Sequence, residues 1–214
     1  MSFLEFLIKR ADDMLEMGIG HAAVVGISVL LATVFGVALG VLTHRNERAR
    51  DFTLAVSGAM LTIPSFALFI LLLGPLGLGA KPVVVALTMY GLMPIIRNTV
   101  AGLNGVDPAI TESARGMGLT RAQRLFRIEL PLAWPVIITG VRVTTLSLLG
   151  IAAIGSIVNG PGFGNFIFTG LARVGTPVAI NFVLAGALGV VILAILSDVL
   201  FHIVRRLTTS KGIR

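Results

Sequence analysis

Long apolar runs separated by short polar segments make up most of this sequence. About five of the runs reach the roughly 20 residues that a helix needs to cross a bilayer. They cover approximately residues 21–42, 52–73, 82–100, 134–154 and 178–203. In the first run, Ala32, Gly36 and Gly40 recur at four-residue intervals, which predicts close contact with another helix. The pattern as a whole predicts an all-helical membrane protein.

Two features interrupt the apolar pattern. Pro64 breaks the second run, and Thr62 and Ser65 could satisfy the backbone groups that it frees. We interpret this run as a kinked helix that faces a pore, with ordinary tolerance of proline in membrane helices as the alternative. Residues 155–175 are rich in glycine and too irregular to span lipid alone, so we expect them within protein or at the surface.

The ends of the runs suggest the division of the chain. Residues 1–20 have neither the long apolar core nor the cleavage site of a signal peptide. They form either an interfacial amphipathic helix or a solvated tail, and the sequence does not decide between the two. A transmembrane domain over residues 21–205 and a basic tail over 206–214 complete the chain.

A polar segment at residues 104–131 separates the third and fourth runs and must lie outside the lipid. Asp107 is a suitable N-cap and Pro108 suits the first helical position. Gly116 and Gly118 then predict the end of this first short helix.

A second short helix is predicted in the same segment. Thr120 and Gln123 have the spacing of a capping box, and we expect Pro131 to end the helix that they begin. The segment therefore predicts a small helix-turn-helix at one membrane surface.

Composition narrows the class of protein. The 214 residues are 56% hydrophobic and 13% charged, which indicates a membrane protein rather than a soluble domain. There is no cysteine, and three scattered histidines have no metal-ligand spacing. We find no catalytic constellation, so an enzyme is not indicated. A net charge of +7 would suggest nucleic acid binding in a soluble chain, but loop charge in a membrane protein explains it more simply.

Basic residues predict the orientation of the spans. Twelve of the 17 Lys and Arg residues fall on the side of the 104–131 segment and four on the other side. The positive-inside rule therefore predicts a cytoplasmic C-terminus and an external N-terminus.

Arg142 and Asp198 lie within apolar runs at similar depth. We expect each to face the bundle interior, either paired with the other or contacting carbonyls and water.

The polar segment also carries a family resemblance. Six residues match the pattern Glu-Ala-Ala, three residues, Gly, nine residues, Ile-x-Leu-Pro: Glu112, Ala114, Gly118, Ile128, Leu130 and Pro131. Ser113 replaces the first alanine with another small residue. The chain resembles the membrane subunits of binding-protein-dependent ABC importers, of the type I fold. From Leu61 through the segments around Pro94 and Gly160, it is similar to the osmoprotectant branch, which imports glycine betaine, choline or carnitine.

The resemblance implies a mechanical role for the segment. The chain has no phosphate-binding loop of its own, so the family implies that ATP and Mg²⁺ bind a partner ATPase and that this chain binds no cofactor or metal. The implied partners are an ATPase dimer, a second permease, an external solute-binding protein and the bilayer of the bacterial inner membrane. The implied coupling residues are Glu112, Ser113, Ala114, Arg115, Gly116, Met117, Gly118, Ile128, Leu130 and Pro131.

The resemblance also implies a translocation path or gate. Its candidate residues are Thr62, Pro64, Ser65, Tyr90, Asn98, Asn159, Gly160, Gly162 and Gly164. Tyr90 and Trp134 are too isolated to form an aromatic cage for a quaternary amine, so we expect solute recognition mainly on the binding protein. The alternatives are a permease for an amino acid such as methionine or another small amine, and an ion-coupled secondary transporter, which would have no use for the polar segment.

Overall fold

The computed structural model describes residues 2–209 and is helical over most of that length. The basic tail predicted from residue 206 lies outside the described part of the chain after Thr209. Ten α-helices are separated by short connections, with a π-helix at Leu125–Glu129 and a 3₁₀-helix at Gly155–Val158. In order they are α1 Phe3–Lys9, α2 Ala11–Thr43, α3 Glu47–Thr62, α4 Ser65–Leu76, α5 Ala80–Asn104, α6 Pro108–Gly116, α7 Arg121–Arg124, α8 Leu130–Ile154, α9 Gly164–Ala172 and α10 Ala179–Thr208.

The number of spans agrees with the sequence pattern. In the described residues, four helices are long and apolar enough to cross a membrane, and a fifth span results if α3 and α4 are counted together. This bundle confirms the predicted all-helical membrane fold. The orientation of the bundle in the membrane remains a prediction.

Helix α5 lies at the centre of the bundle, between α2 and α8. Its close approach to α2 depends on the predicted stripe of small residues, which is buried. A Cβ atom on Gly36 would lie 2.8 Å from Ile95 Cγ2, and one on Gly40 would lie 2.7 Å from Thr99 Cβ. The predicted contact is therefore confirmed, and larger residues at these positions would force the two helices apart.

The second apolar run is two helices rather than one kinked helix. The chain turns by 96° between α3 and α4, at Pro64. Thr62 donates to the carbonyl of Ala59 within its own helix, over 2.7 Å. The Met60 carbonyl, which Pro64 has no N–H to bond, accepts from the Ile63 N–H over 3.4 Å. The Ile63 carbonyl at the end of α3 accepts a 2.8 Å hydrogen bond from the hydroxyl of Tyr90 on α5. Because a distant side chain supplies this donor, the helix can end completely instead of bending.

Pro131 does not end a helix, contrary to the sequence prediction. The helical path continues from Arg121 to Val158, with the π-helix placed before Pro131. In the π-helix the backbone bonds reach back five residues, as from the Leu130 N–H to the Leu125 carbonyl. This wider turn accommodates a residue that has no N–H group to donate.

Helices α1 and α9, which lie outside the main spans, both pack against α10. Phe6 on α1 is 1% exposed and makes edge-to-face contacts with Phe166 of α9 and Phe182 of α10. Helix α9 lies in the glycine-rich region at residues 155–175, which the sequence predicts to be too irregular to span lipid alone, and it is nine residues long. The segment preceding the first apolar run is thus helical and attached to the bundle by aromatic packing.

Candidate functional site

Helix α6 presents the charged part of the polar segment. Asp107 caps it as predicted, accepting a hydrogen bond from the Ala109 N–H over 2.8 Å. Of the motif residues on this helix and the turn after it, Ala114 alone is fully buried. Glu112, Ser113, Arg115, Gly116, Met117 and Gly118 are all exposed. The helix therefore turns one small residue inward and offers a mixed charged and apolar surface outward.

The end of α6 has the hydrogen-bond pattern of a Schellman motif. The Gly118 N–H donates to the Arg115 carbonyl and the Leu119 N–H to the Ala114 carbonyl, over 3.0 and 3.2 Å. Gly118 has φ of +82°, a conformation that disfavours other residues. Gly116 is helical, with open space where a Cβ atom would lie. Of the two predicted helix-ending glycines, only Gly118 is required by backbone conformation.

The second half of the segment begins with the predicted capping box. The Gln123 N–H donates to Thr120 Oγ1 over 3.3 Å, and the Thr120 N–H to Gln123 Oε1 over 2.8 Å. Helix α7 is only four residues long and leads directly into the π-helix and α8. The motif residues Ile128 and Leu130 are half-buried in this joint, while Pro131 is exposed. The polar segment is therefore continuous with a membrane span.

An ion pair that sequence reasoning missed fixes this joint. Both carboxylate oxygens of Glu129 accept from Arg45 Nη2, at 2.9 and 3.0 Å. The Glu129 side chain is 6% exposed and Arg45 is 49% exposed. Arg45 lies just after α2, so the pair connects the first long helix to the joint between α7 and α8. The available signal was an acid within the basic, half-apolar stretch around Ile128.

A cleft of about 350 Å³ opens behind α6. Basic and acidic side chains line it together, including His44, Arg45, Glu112, Arg115, Arg124 and Glu129. Within the described residues, the buried Arg124 Nε atom has no hydrogen-bond partner. The cleft separates part of α6 from the end of α2 and from the joint between α7 and α8.

The predicted path residues fall into three separate places. Thr62, Pro64, Ser65 and Tyr90 come together at the break between α3 and α4. Asn98 lies where α5 crosses α8: a Cβ atom on Gly140 would lie 2.6 Å from Asn98 Cβ. The third place is the glycine-rich loop from Asn159 to Gly164. The structure therefore does not gather these residues into one pocket.

The glycine-rich loop is held by a buried histidine that the sequence did not reveal. His21 is completely buried; its Nε2 lies 3.0 Å from the Leu149 carbonyl, and its Nδ1 accepts from the Phe163 N–H at 3.3 Å. These partners specify a neutral ring protonated on Nε2. Gly162 has φ of +135°, and a Cβ atom there would lie 2.5 Å from His21 Nδ1. The loop is thus packed closely onto α2.

The two intramembrane charges are paired. Arg142 Nε on α8 donates to Asp198 Oδ1 on α10 over 2.6 Å. The two side chains are 41% and 39% exposed. Of the two arrangements left open by the sequence, the structure has the direct pair, which connects the fourth and last spans.

Fold and site together define a class: a multi-pass helical membrane protein whose α5–α8 connection projects as an exposed, capped helix-turn-helix. Over residues 32–210 the chain matches the family described as "Binding-protein-dependent transport system inner membrane component". The chain belongs to this family, as its motif had indicated, and this places it in the inner membrane.

Named relatives agree with the branch that the sequence resembles. The chain is 34% identical to the "Choline transport system permease protein OpuBB" of Bacillus subtilis, covering 99% of this chain and 95% of the relative. It is 36% identical to the "Osmoprotectant import permease protein OsmW" of Salmonella typhimurium, with 100% of both covered. Among solved structures, a chain of the inward-facing MetNI methionine ABC transporter has a TM-score of 0.80 at 21% identity, over 92% of this chain and 96% of that one. This last similarity confirms the predicted type of permease fold.

Proposed function

We propose that this chain is the transmembrane subunit of an ATP-driven importer of osmoprotectants, quaternary amines such as glycine betaine, choline and carnitine. The observation that carries the proposal is full-length similarity to permeases whose names specify these solutes, at 33–36% identity. The methionine transporter is only 21% identical and supports the fold alone.

In this proposal α6 is the element that a separate ATPase dimer moves, since the chain has no nucleotide-binding loop. Its exposed surface and the cleft that separates part of it from the bundle suit a helix that docks on a partner. The turn at Gly118, α7 and the π-helix lead from α6 into α8, and the Arg45–Glu129 pair attaches the joint between α7 and α8 to α2. A push on α6 would therefore be passed to two spans through this joint.

A second permease, identical or related, would complete the path. One chain with about five spans is too small to enclose a solute channel, and two α6 elements would match two ATPase subunits. The coupling segment would be cytoplasmic, with the N-terminus outside. The glycine-rich loop, at the opposite end of the bundle, would receive solute from an external binding protein.

Specific recognition would rest mainly on that binding protein. Tyr90 is buried at the break between α3 and α4, and Trp134 lies elsewhere, donating to Thr208 Oγ1 near the end of α10 over 2.8 Å, so the two rings do not line one site. This chain would then offer at most a weak site along the path.

The test is uptake by the complex reconstituted in vesicles with its ATPase and binding protein. We expect uptake of at least one of glycine betaine, carnitine and choline, dependent on internal ATP and unaffected when ion gradients are collapsed. Methionine serves as the matched solute that should not be taken up. Uptake that follows an ion gradient without ATP would contradict the proposal, as would transport of methionine alone.

A further inference from the structure

Arg97 is a cation without a counter-ion inside a span. It is exposed on α5, seven residues before the last residue of the helix, which is a depth of about 10 Å. Within the described residues it has no hydrogen bond, ion pair or aromatic contact. Arg142, on the neighbouring α8, is neutralised by Asp198. The two arginines thus occupy different electrostatic situations.

The surface that carries Arg97 differs from a lipid-facing one. The next residue, Asn98, packs against Gly140 on α8, and Thr139 and Ser147 are exposed on that helix. The two hydroxyls donate to carbonyls of their own helix, so a surface with only these polar groups would be compatible with lipid. An unpaired charge would not: it costs roughly 2.5–3.5 kcal/mol at the centre of a membrane helix, and nearer a helix end it is stable where it reaches water or a partner. Arg97 therefore faces water, a solute or a partner subunit.

In a second copy of this chain, the one acid within an apolar run would already be paired. All ten Asp and Glu residues lie in the described part of the chain. Asp198 is the only one that falls within the five apolar runs, and its Oδ1 atom already accepts from Arg142. The remaining nine lie outside those runs. A dimer of this chain would therefore leave Arg97 without a carboxylate from within an apolar run.

We propose that Arg97 contacts the carboxylate of the transported solute, so that the permease itself favours carboxylated betaines over choline. This inference rests on the proposed function and narrows its solute class. A guanidinium can donate two parallel hydrogen bonds to a carboxylate, a geometry that lysine reproduces poorly. Choline carries the same quaternary ammonium group with a hydroxyl instead of a carboxylate, so Arg97 repels its charge and gains no ion pair.

The experiment compares solutes in the complete importer with its binding protein. Arg97→Gln removes the charge, and Arg97→Lys keeps the charge but cannot donate two parallel hydrogen bonds. Arg48→Gln, which removes an exposed arginine outside the path, is the matched control. We expect Arg97→Gln to reduce glycine betaine and carnitine uptake by about tenfold or more, the scale for losing a hydrogen bond to a charged group. Choline uptake should change by less than about twofold on the same scale, and Arg97→Lys should give an intermediate loss.

A second readout does not depend on which solutes are transported. The chain contains no cysteine, so Thr139→Cys introduces a single thiol beside the α5–α8 crossing. We expect an anionic sulfonate thiosulfonate reagent to modify it faster, relative to a cationic trimethylammonium one, when Arg97 is present than in the Arg97→Gln background. Three results would each overturn the inference. They are an equal loss of uptake for all solutes in Arg97→Gln, uptake of choline alone by the wild type, and a ratio of anionic to cationic modification rates that does not change with Arg97→Gln. Absence of any uptake by the wild type would instead refute the proposed function.

Discussion

Two exposed surfaces of the bundle differ sharply in chemistry. Every exposed residue of α2 from Ile19 to Leu42, and of α10 from Ile180 to Leu200, is apolar. The exposed surface of α5 and α8 instead combines Arg97, Thr139 and Ser147 with apolar residues such as Val85 and Val143. We call the first the apolar face and the second the polar face. In lipid an apolar face is stable by itself, whereas a face with an unpaired charge must be covered or hydrated.

The connectivity of the chain adds a mechanical meaning to this difference. The polar segment at residues 104–131 joins α5 to α8, the two helices of the polar face. Movement of α6 would therefore act directly, through the backbone, on the polar face, which we assign to the path. It would reach the apolar face only indirectly, through side-chain contacts. The comparison predicts that damage to the joint stops transport, while damage to links between the faces weakens it.

The largest effect is expected at the turn that ends α6. Gly118→Val forces a β-branched residue into a left-handed conformation, which disfavours the turn by roughly 1–2 kcal/mol. We expect the protein to insert normally but to lose solute-stimulated ATP hydrolysis by the complex. Gly116→Ala is the control, since this glycine is helical and has open space around it. Wild-type stimulation in Gly118→Val would show that the turn does not transmit the motion.

A smaller but still large effect is expected at the border between the faces. The Arg142–Asp198 pair joins α8 of the polar face to α10 of the apolar face. Arg142→Asp and Asp198→Arg should each impair assembly or uptake, because two like charges then meet within the span. The double exchange should recover part of the loss in uptake. A double variant no better than the worse single one would mean that the pair does not hold the faces together.

The smallest of these effects concerns the link from α2 to the joint. Arg45→Gln leaves Glu129 buried without its partner, whereas Arg45→Gln with Glu129→Gln removes both charges. We therefore expect the single variant to lower the Tm of the purified protein more than the double variant does, with Arg48→Gln as an exposed control. If the double variant were the less stable one, the buried Glu129 carboxylate would not depend on Arg45 for its stability.

Features set by neighbouring residues were predictable from the sequence, and features set by distant partners were not. The caps at Asp107 and Thr120 depend on residues two or three positions away, and both form as predicted. The complete break at Pro64 depends on Tyr90, 27 residues from the carbonyl that it caps. The error at Pro131 came from a π-helix, whose backbone bonding has no simple residue signature.

The site shows the same division between local and distant effects. The motif identified the exposed α6, but it gave no sign that Arg45 would reach Glu129, 84 positions away in the sequence. His21 likewise had no sequence signal, because its partners come from α8 and the glycine-rich loop. Charge within an apolar run did predict that Arg142 and Asp198 would matter structurally. It did not predict that Arg97, in the third apolar run, would have no partner among the described residues.

Single thiols on the two faces give the most direct test of the central claim. In this cysteine-free chain, Ser147→Cys lies on the polar face and Val191→Cys on the apolar face, and both positions are exposed. In the assembled complex in vesicles, we predict that a membrane-impermeant cationic thiosulfonate modifies Ser147→Cys, at a rate that changes with ATP, and leaves Val191→Cys unmodified. Modification of Val191→Cys together with complete protection of Ser147→Cys in every nucleotide state would contradict the account.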